Sequence, residues 1–191
     1  MDGESLEVVD EVKLLGMVIT SDLKWSKNTE SMCKAGYSRL WMLRRLKAQG
    51  ADIANLKDAY EKQVRSVLEF GTPVFTAGLT GDDVNDIERV QRTAATIMLG
   101  DNYTNYSDAL QTLCLQPLKD RRLDTCMNFA QKAMKTDKFS NWFKKSEVRN
   151  KEKDRNCKEI EIETFLKPVK SRTKRFRKSP IPFLTKLLNQ C

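Results

Sequence analysis

The chain reads as a mainly α protein, with an N-terminal β-hairpin, a bundle of about five helices and a basic, partly disordered tail. Three observations predict this. A Val/Leu/Ile-rich run with Gly16 inside it fills residues 8–19, after which β-type patterning stops. From Ser26 to Lys135 apolar residues recur at helical spacing. Finally, the basic excess is confined to one end: residues 1–143 hold 19 Lys+Arg against 20 Asp+Glu, whereas residues 144–191 hold 15 against 6. These shifts divide the 191 residues into a hairpin (1–25), a helical bundle (26–143) and a basic linker with a short amphipathic end (144–191). That length supports one ordinary core and a small second element.

Each element follows from local chemistry. Val8 to Ile19 is a short β-favouring run interrupted by glycine, the pattern of a strand or hairpin. A lone two-stranded hairpin is marginal in water and needs a helix or further sheet to pack on. Ser26 is a candidate N-cap for a helix to Ala48, stopped by Gln49-Gly50, with Met32, Gly36, Leu40, Leu43 and Leu46 or Lys47 on one side. A second helix opens after Asp52, carries Ile53, Leu56, Tyr60, Val64, Val67 and Leu68 as its apolar stripe, and stops near Phe70-Gly71 before Pro73. The third starts at Asp82 or Asp83 and runs through Ile87, Val90/Gln91, Ala94 and Ile97/Met98 to Gly100. Ser107-Asp108 opens a fourth, to Leu115; Pro117 suits the first turn of a fifth that reaches Lys135. Asp137 to Phe143 adds a turn of helix, 144–163 reads as a solvated mixed-charge linker or a frayed helix, and Ser179-Pro180-Ile181-Pro182-Phe183 begins an amphipathic turn.

Composition excludes several kinds of chemistry. The chain has no histidine, which removes Ser-His-Asp and Cys-His catalysis and His-containing zinc sites. Its five cysteines are widely spaced without a Cys-x-x-Cys pair, so they read as reduced thiols of an intracellular protein, not as metal ligands. Gly81-Asp82-Asp83 has the look of a polymerase's metal-binding carboxylates, which must sit on a tight turn between apolar strands. Here Val84-Asn85-Asp86-Ile87 continues at helical spacing, so the acids belong at a cap and first turn. No catalytic residue, metal or cofactor is assigned, and no membrane partner is expected because no apolar run approaches a membrane span.

Two groups of cations remain as binding candidates. Projected at about 100° per residue, the side of the first helix opposite its apolar stripe collects Lys27, Lys34, Trp41 and Arg45, with Tyr37 beside them. The tail has no acid from Thr164 onward but carries Lys170, Arg172, Lys174, Arg175, Arg177 and Lys178, with Phe176 between two arginines. Such a stretch suits phosphate, and also a nuclear localisation signal or a solubilising role. Arg121-Arg122 could meet phosphate or run their stems along the bundle, and packing is the favoured reading.

Taken in order, Val12-Lys13-Leu14-Leu15-Gly16, Leu23-Lys24-Trp25-Ser26, Leu68-Glu69-Phe70-Gly71-Thr72-Pro73-Val74-Phe75, Ile87-Glu88-Arg89-Val90-Gln91-Arg92, Leu118-Lys119-Asp120-Arg121-Arg122 and Ser179-Pro180-Ile181-Pro182-Phe183 resemble the C-terminal part of a non-LTR (LINE/Jockey-like) retrotransposon reverse transcriptase. The resemblance runs from about Val8 to Asn189 and rests on short, mostly hydrophobic motifs. It implies that Leu14, Leu15 and Gly16 correspond to the primer grip, with Leu14 where the family usually has an aromatic residue. It also implies that the bundle is a thumb and that Lys27, Lys34, Tyr37, Trp41 and Arg45 lie along an RNA·DNA hybrid, recognised by shape and backbone. The fingers, nucleotide pocket and metal-binding aspartates of the family lie upstream of this region, so the resemblance implies no polymerase activity for this chain alone. A nuclear location follows from the same resemblance. The alternative is a helical protein-interaction scaffold or retained remnant of such an element, with Trp41 and Phe183 as partner anchors, or a gene-model fragment.

Overall fold

The computed structural model describes residues 8–143, 145–146, 165–170 and 173–190. The chain is mainly helical behind an N-terminal two-stranded hairpin and forms two compact units, Met1–Leu123 and Asp124–Cys191. This division follows packing and falls inside a helix, whereas the shift seen in composition at Phe143 follows charge.

In the first unit β1 (Glu11–Leu14) pairs antiparallel with β2 (Met17–Thr20), Val12 opposite Ile19 and Leu14 opposite Met17. The turn residues Leu15 and Gly16 both have positive φ, 48° and 85°, as a two-residue turn matched to strand twist requires. Gly16 does this freely; Leu15 does it against its Cβ. Helix α1 (Ser26–Ala48) follows. Ser26 is not its N-cap: Trp25 holds that position without a side-chain cap bond, and the Ser26 hydroxyl donates to Asp83 Oδ2 at 3.2 Å. The reason is tertiary, since the Trp25 ring packs on Phe75 (centroids 6.4 Å apart) and covers Gly78, where a Cβ would lie 2.4 Å from Cδ1. The helix ends as anticipated at Gly50, φ 83°, with Ala51 N–H donating to Leu46 O at 3.1 Å.

Asp52 accepts from Asn55 N–H and starts α2 (Ile53–Ala59), which continues through a π segment, Tyr60–Arg65, into α3 (Ser66–Leu68). The sequence predicted one plain helix here. The wider turns keep Leu56, Tyr60, Val64 and Leu68 buried at a strict spacing of four, while Ile53, placed on the stripe, is exposed. Gly71 (φ 73°) ends the run, and Pro73 opens a further short helix, α4 (Thr72–Phe75), followed by a 3₁₀ turn at Thr76–Gly78. Helix α5 (Gly81–Leu99) begins with a capping box between Thr80 and Asp83 and stops at Gly100. Helix α6 is Tyr106–Thr112, capped by Asn105, so it opens and closes before the expected Ser107-Asp108 and Leu115. Helix α7 spans Leu118–Lys135. The core gathers Leu40, Leu43, Tyr60, Phe75, Ile87 and Val90. Where α1 crosses α5, a Cβ on Gly36 would stand 3.0 Å from Val90 Cγ1 and 3.1 Å from Leu68 Cδ2, so bare backbone permits the approach.

In the second unit Cys126, Ala130 and Ala133 of α7 form a small core with Phe143, Leu166 and Leu184. Helix α8 (Asp137–Ser140) precedes β3 (Lys145–Ser146), which pairs antiparallel with β4 (Phe165–Leu166). Helices α9 (Lys174–Arg177) and α10 (Pro180–Leu188) close the chain. The Asn189 amide extends the pairing by accepting from Leu166 N–H and donating to Leu166 O, both at 2.9 Å. Of the linker anticipated at 144–163, Lys145–Ser146 is instead a strand, held by its pairing with Phe165–Leu166, and the rest lies outside the described residues. Among those described, no helix is long and apolar enough to cross a membrane.

Candidate nucleic-acid interface

Helix α1 buries the stripe read from the sequence and exposes the opposite side: Lys27, Lys34, Tyr37, Trp41 and Arg45 are all exposed, Trp41 to 61%. The helix brings these five together, with differing surroundings. Lys27 Nζ donates to Glu11 Oε2 of β1 at 2.8 Å, and that carboxylate pushes the ammonium pKa up. Lys34 and Tyr37 border an open groove that also takes in Glu30, Asp82, Asp83, Asp86 and Arg89, the last paired with Asp86 at 2.8 Å. Acids therefore outnumber cations beside Lys34. Trp41 and Arg45 lie further along, beyond that groove.

Elsewhere several cations are engaged within the fold. Arg121 binds Glu69 bidentately, Nε to Oε1 at 2.6 Å and Nη2 to Oε2 at 3.1 Å, the strong planar geometry of a guanidinium–carboxylate pair. Arg122 is buried, so both arginines act within the packing, as the sequence suggested. Lys47 Nζ donates to the carbonyls of Ile97 (2.7 Å) and Met98 (3.3 Å), a cation at the C-terminal end of α5.

The Gly81-Asp82-Asp83 segment forms the first turn of α5. Asp83 Oδ2 accepts from Thr80 N–H at 2.9 Å and the Thr80 hydroxyl at 2.7 Å, so that oxygen is occupied by capping. Among the described residues no group of three or more His, Cys, Asp or Glu could hold a metal ion. The nearby Cys33 thiol is pushed up to about 11, by burial first and then by Asp86 and Asp83. At neutral pH it is a thiol and a poor nucleophile.

A buried polar network went unread in the sequence. The Tyr60 hydroxyl donates to Gln91 Oε1 at 2.6 Å; Gln91 Nε2 donates to the Tyr106 hydroxyl at 3.0 Å and Gln116 O at 2.9 Å. Tyr106 in turn donates to Glu88 Oε1, which also accepts from Leu118 N–H at 3.1 Å. Burial raises both tyrosine pKa values. The available signal was Gln91 itself, a polar residue inside the apolar stripe of α5. These bonds tie α5 to the π segment, α6 and the start of α7, and they serve structure.

Of the hairpin residues, Leu14 and Leu15 are exposed, to 54% and 81%, and Gly16 makes the turn against the Phe70 ring. In the second unit Lys170, Arg177 and Lys178 are exposed, as is Phe176. Lys170 lines an open cleft with Trp142, Lys167 and Ile181. Lys174 and Arg175 fall on α9, their side chains outside the described set, and Arg172 lies wholly outside it. Phe183 is half-buried and packs against the second core. Comparison with protein-family models, curated proteins and solved structures yields no match to this chain.

Proposed function

We propose that this chain is the nucleic-acid-holding, non-catalytic C-terminal portion of a retrotransposon-derived reverse transcriptase, gripping an RNA·DNA hybrid or related duplex by its phosphates. The observation that carries the reading is the long exposed face of α1: Trp41 and Tyr37 stand among Lys34 and Arg45, directly behind a hairpin whose tip is Leu14-Leu15-Gly16. Cations neutralise phosphates and the aromatic bodies pack on sugars, while a large indole left in water favours coverage by a partner. The exposed Lys170, Arg177 and Lys178 of the second unit add to the same attraction. In this reading the chain works inside the cell, in the nucleus, beside a catalytic palm and fingers region carried elsewhere. The two acids after Gly81 lie in the first turn of a helix, Asp83 in its capping box, so polymerisation is not assigned to them.

Fluorescence anisotropy with a labelled RNA·DNA hybrid tests the reading. Binding should weaken steeply with salt, and Lys34→Glu/Trp41→Ala/Arg45→Glu should lower affinity about tenfold or more while flattening the log–log salt slope by about 1 to 2, at about 0.7–0.9 per phosphate contact. Binding that is undetectable, or unaltered in this variant, overturns it. Nucleotide incorporation above a buffer control in primer extension with Mg²⁺ or Mn²⁺ would overturn the non-catalytic assignment. The acids beside Lys34 favour a second reading, a protein-binding scaffold, because Glu30, Asp82 and Asp86 repel phosphate. It predicts no salt-sensitive hybrid binding.

A further inference from the structure

Among the described residues, the hairpin has one covered edge and one open edge. On β2, Val18 N–H points outward and is satisfied by Asn28 Oδ1 of α1 at 3.0 Å. On β1 the backbone alternates: Asp10 O faces inward and accepts from Ser21 N–H at 2.8 Å, so Glu11 and Lys13 direct their N–H and C=O groups away from β2. All four β1 side chains are exposed. Such an edge is a template for another strand. Its own sequence suits it to a copy of itself, because Glu11 and Lys13 flank Val12 with opposite charges at the two outward-facing positions.

We propose that β1 pairs antiparallel with β1 of a second copy of this chain about a two-fold axis through Val12. In that register Glu11 of each copy faces the partner's Lys13, and these residues exchange the open N–H and C=O groups. Val12 meets the partner's Val12 in the close, non-hydrogen-bonded position, with Leu14 on the diagonal. Sliding by two residues sets Lys13 against Lys13, or Glu11 against Glu11, and like charges directly opposite are unfavourable. Sliding by one residue turns the apolar side chains to the wrong face and misaligns the hydrogen-bonding groups. Charge and backbone alternation thus select a single register. Glu11 keeps Oε2 on Lys27 and has Oε1 for the partner. The inference uses the outer edge of β1, whereas the nucleic-acid reading draws on the exposed face of α1, the tail and the tip of the hairpin.

Sedimentation equilibrium of the full chain, from micromolar to hundreds of micromolar, tests it. The wild type should dimerise. Lys13→Glu, which sets glutamates opposite one another twice, should raise the dimer dissociation constant about tenfold or more, and the swap Glu11→Lys/Lys13→Glu should restore it. At a Cα separation of about 4.5 Å, Val12→Cys should form a disulfide across the axis on mild oxidation, seen by mass spectrometry as a peptide linked to itself at position 12. A wild type that stays monomeric, a dimer indifferent to Lys13→Glu, or a swap that fails to restore pairing would each overturn the proposal. Hybrid binding by the Lys13→Glu monomer reports separately on the nucleic-acid reading.

Discussion

Helices α1 and α5 are the two longest among the described residues, cross at Gly36 and share one core, yet two sets of their polar residues are used in opposite ways. Helix α5 turns Asp83, Glu88 and Gln91 toward Thr80, Tyr106, Tyr60 and backbone groups. Helix α1 turns Lys34, Tyr37, Trp41 and Arg45 to water. The contrast separates polar residues that hold the fold from those left over for another molecule. A residue bound inside the bundle should affect folding when changed; a residue on the open face should leave folding alone and affect only what binds.

Gln91→Leu should break α5's side of this contrast most severely. It leaves the Tyr60 hydroxyl and the Gln116 carbonyl unpaired, at a cost of about 3 kcal/mol or more in urea unfolding. Gly36→Ala attacks the crossing itself: Val90 and Leu68 must give way, which costs about 1–3 kcal/mol. Asp83→Ala removes half of the capping box and the Ser26 contact, costing about 1 kcal/mol. Alkaline pH tests the same buried region. The Cys33 thiol, held to about 11 when folded against its usual 9, binds its proton more tightly in the native state, so stability falls as pH rises through 9 to 11. Cys33→Ala should flatten that decline in pH-dependent melting. The smallest effect on folding sharpens the other side: Lys34→Ala/Arg45→Ala should stay within about 0.5 kcal/mol of wild type while weakening hybrid binding.

Local chemistry made much of this fold legible. Gly50, Gly71 and Gly100 stop helices where their positive φ requires it, Asp52 caps α2, the β-favouring run around Gly16 located the hairpin, and helical spacing of apolar residues located the buried side of α1. What escaped was non-local. Ser26 lies 57 residues from the Asp83 carboxylate that takes its hydroxyl, and Trp25 occupies the cap position because Phe75 and Gly78 hold its ring. Four separate elements build the network around Gln91, so only the misplaced amide was visible beforehand. At the candidate interface, periodicity predicted exposure of the α1 cations; it could not show that Lys27 is paired with Glu11, or that Lys34 stands among acids brought in by α5.

The π segment Tyr60–Arg65 carries a consequence for how the gene could change length. Each inward residue from Leu56 to Leu68 follows the last by four, so losing one residue between Tyr60 and Val64 would return that stretch to ordinary α periodicity with Leu56 and Leu68 still in phase. The same deletion inside α5 would turn everything beyond it by about 100° and drive charged side chains into the interior. Single-codon losses should therefore survive in the former place and be eliminated in the latter.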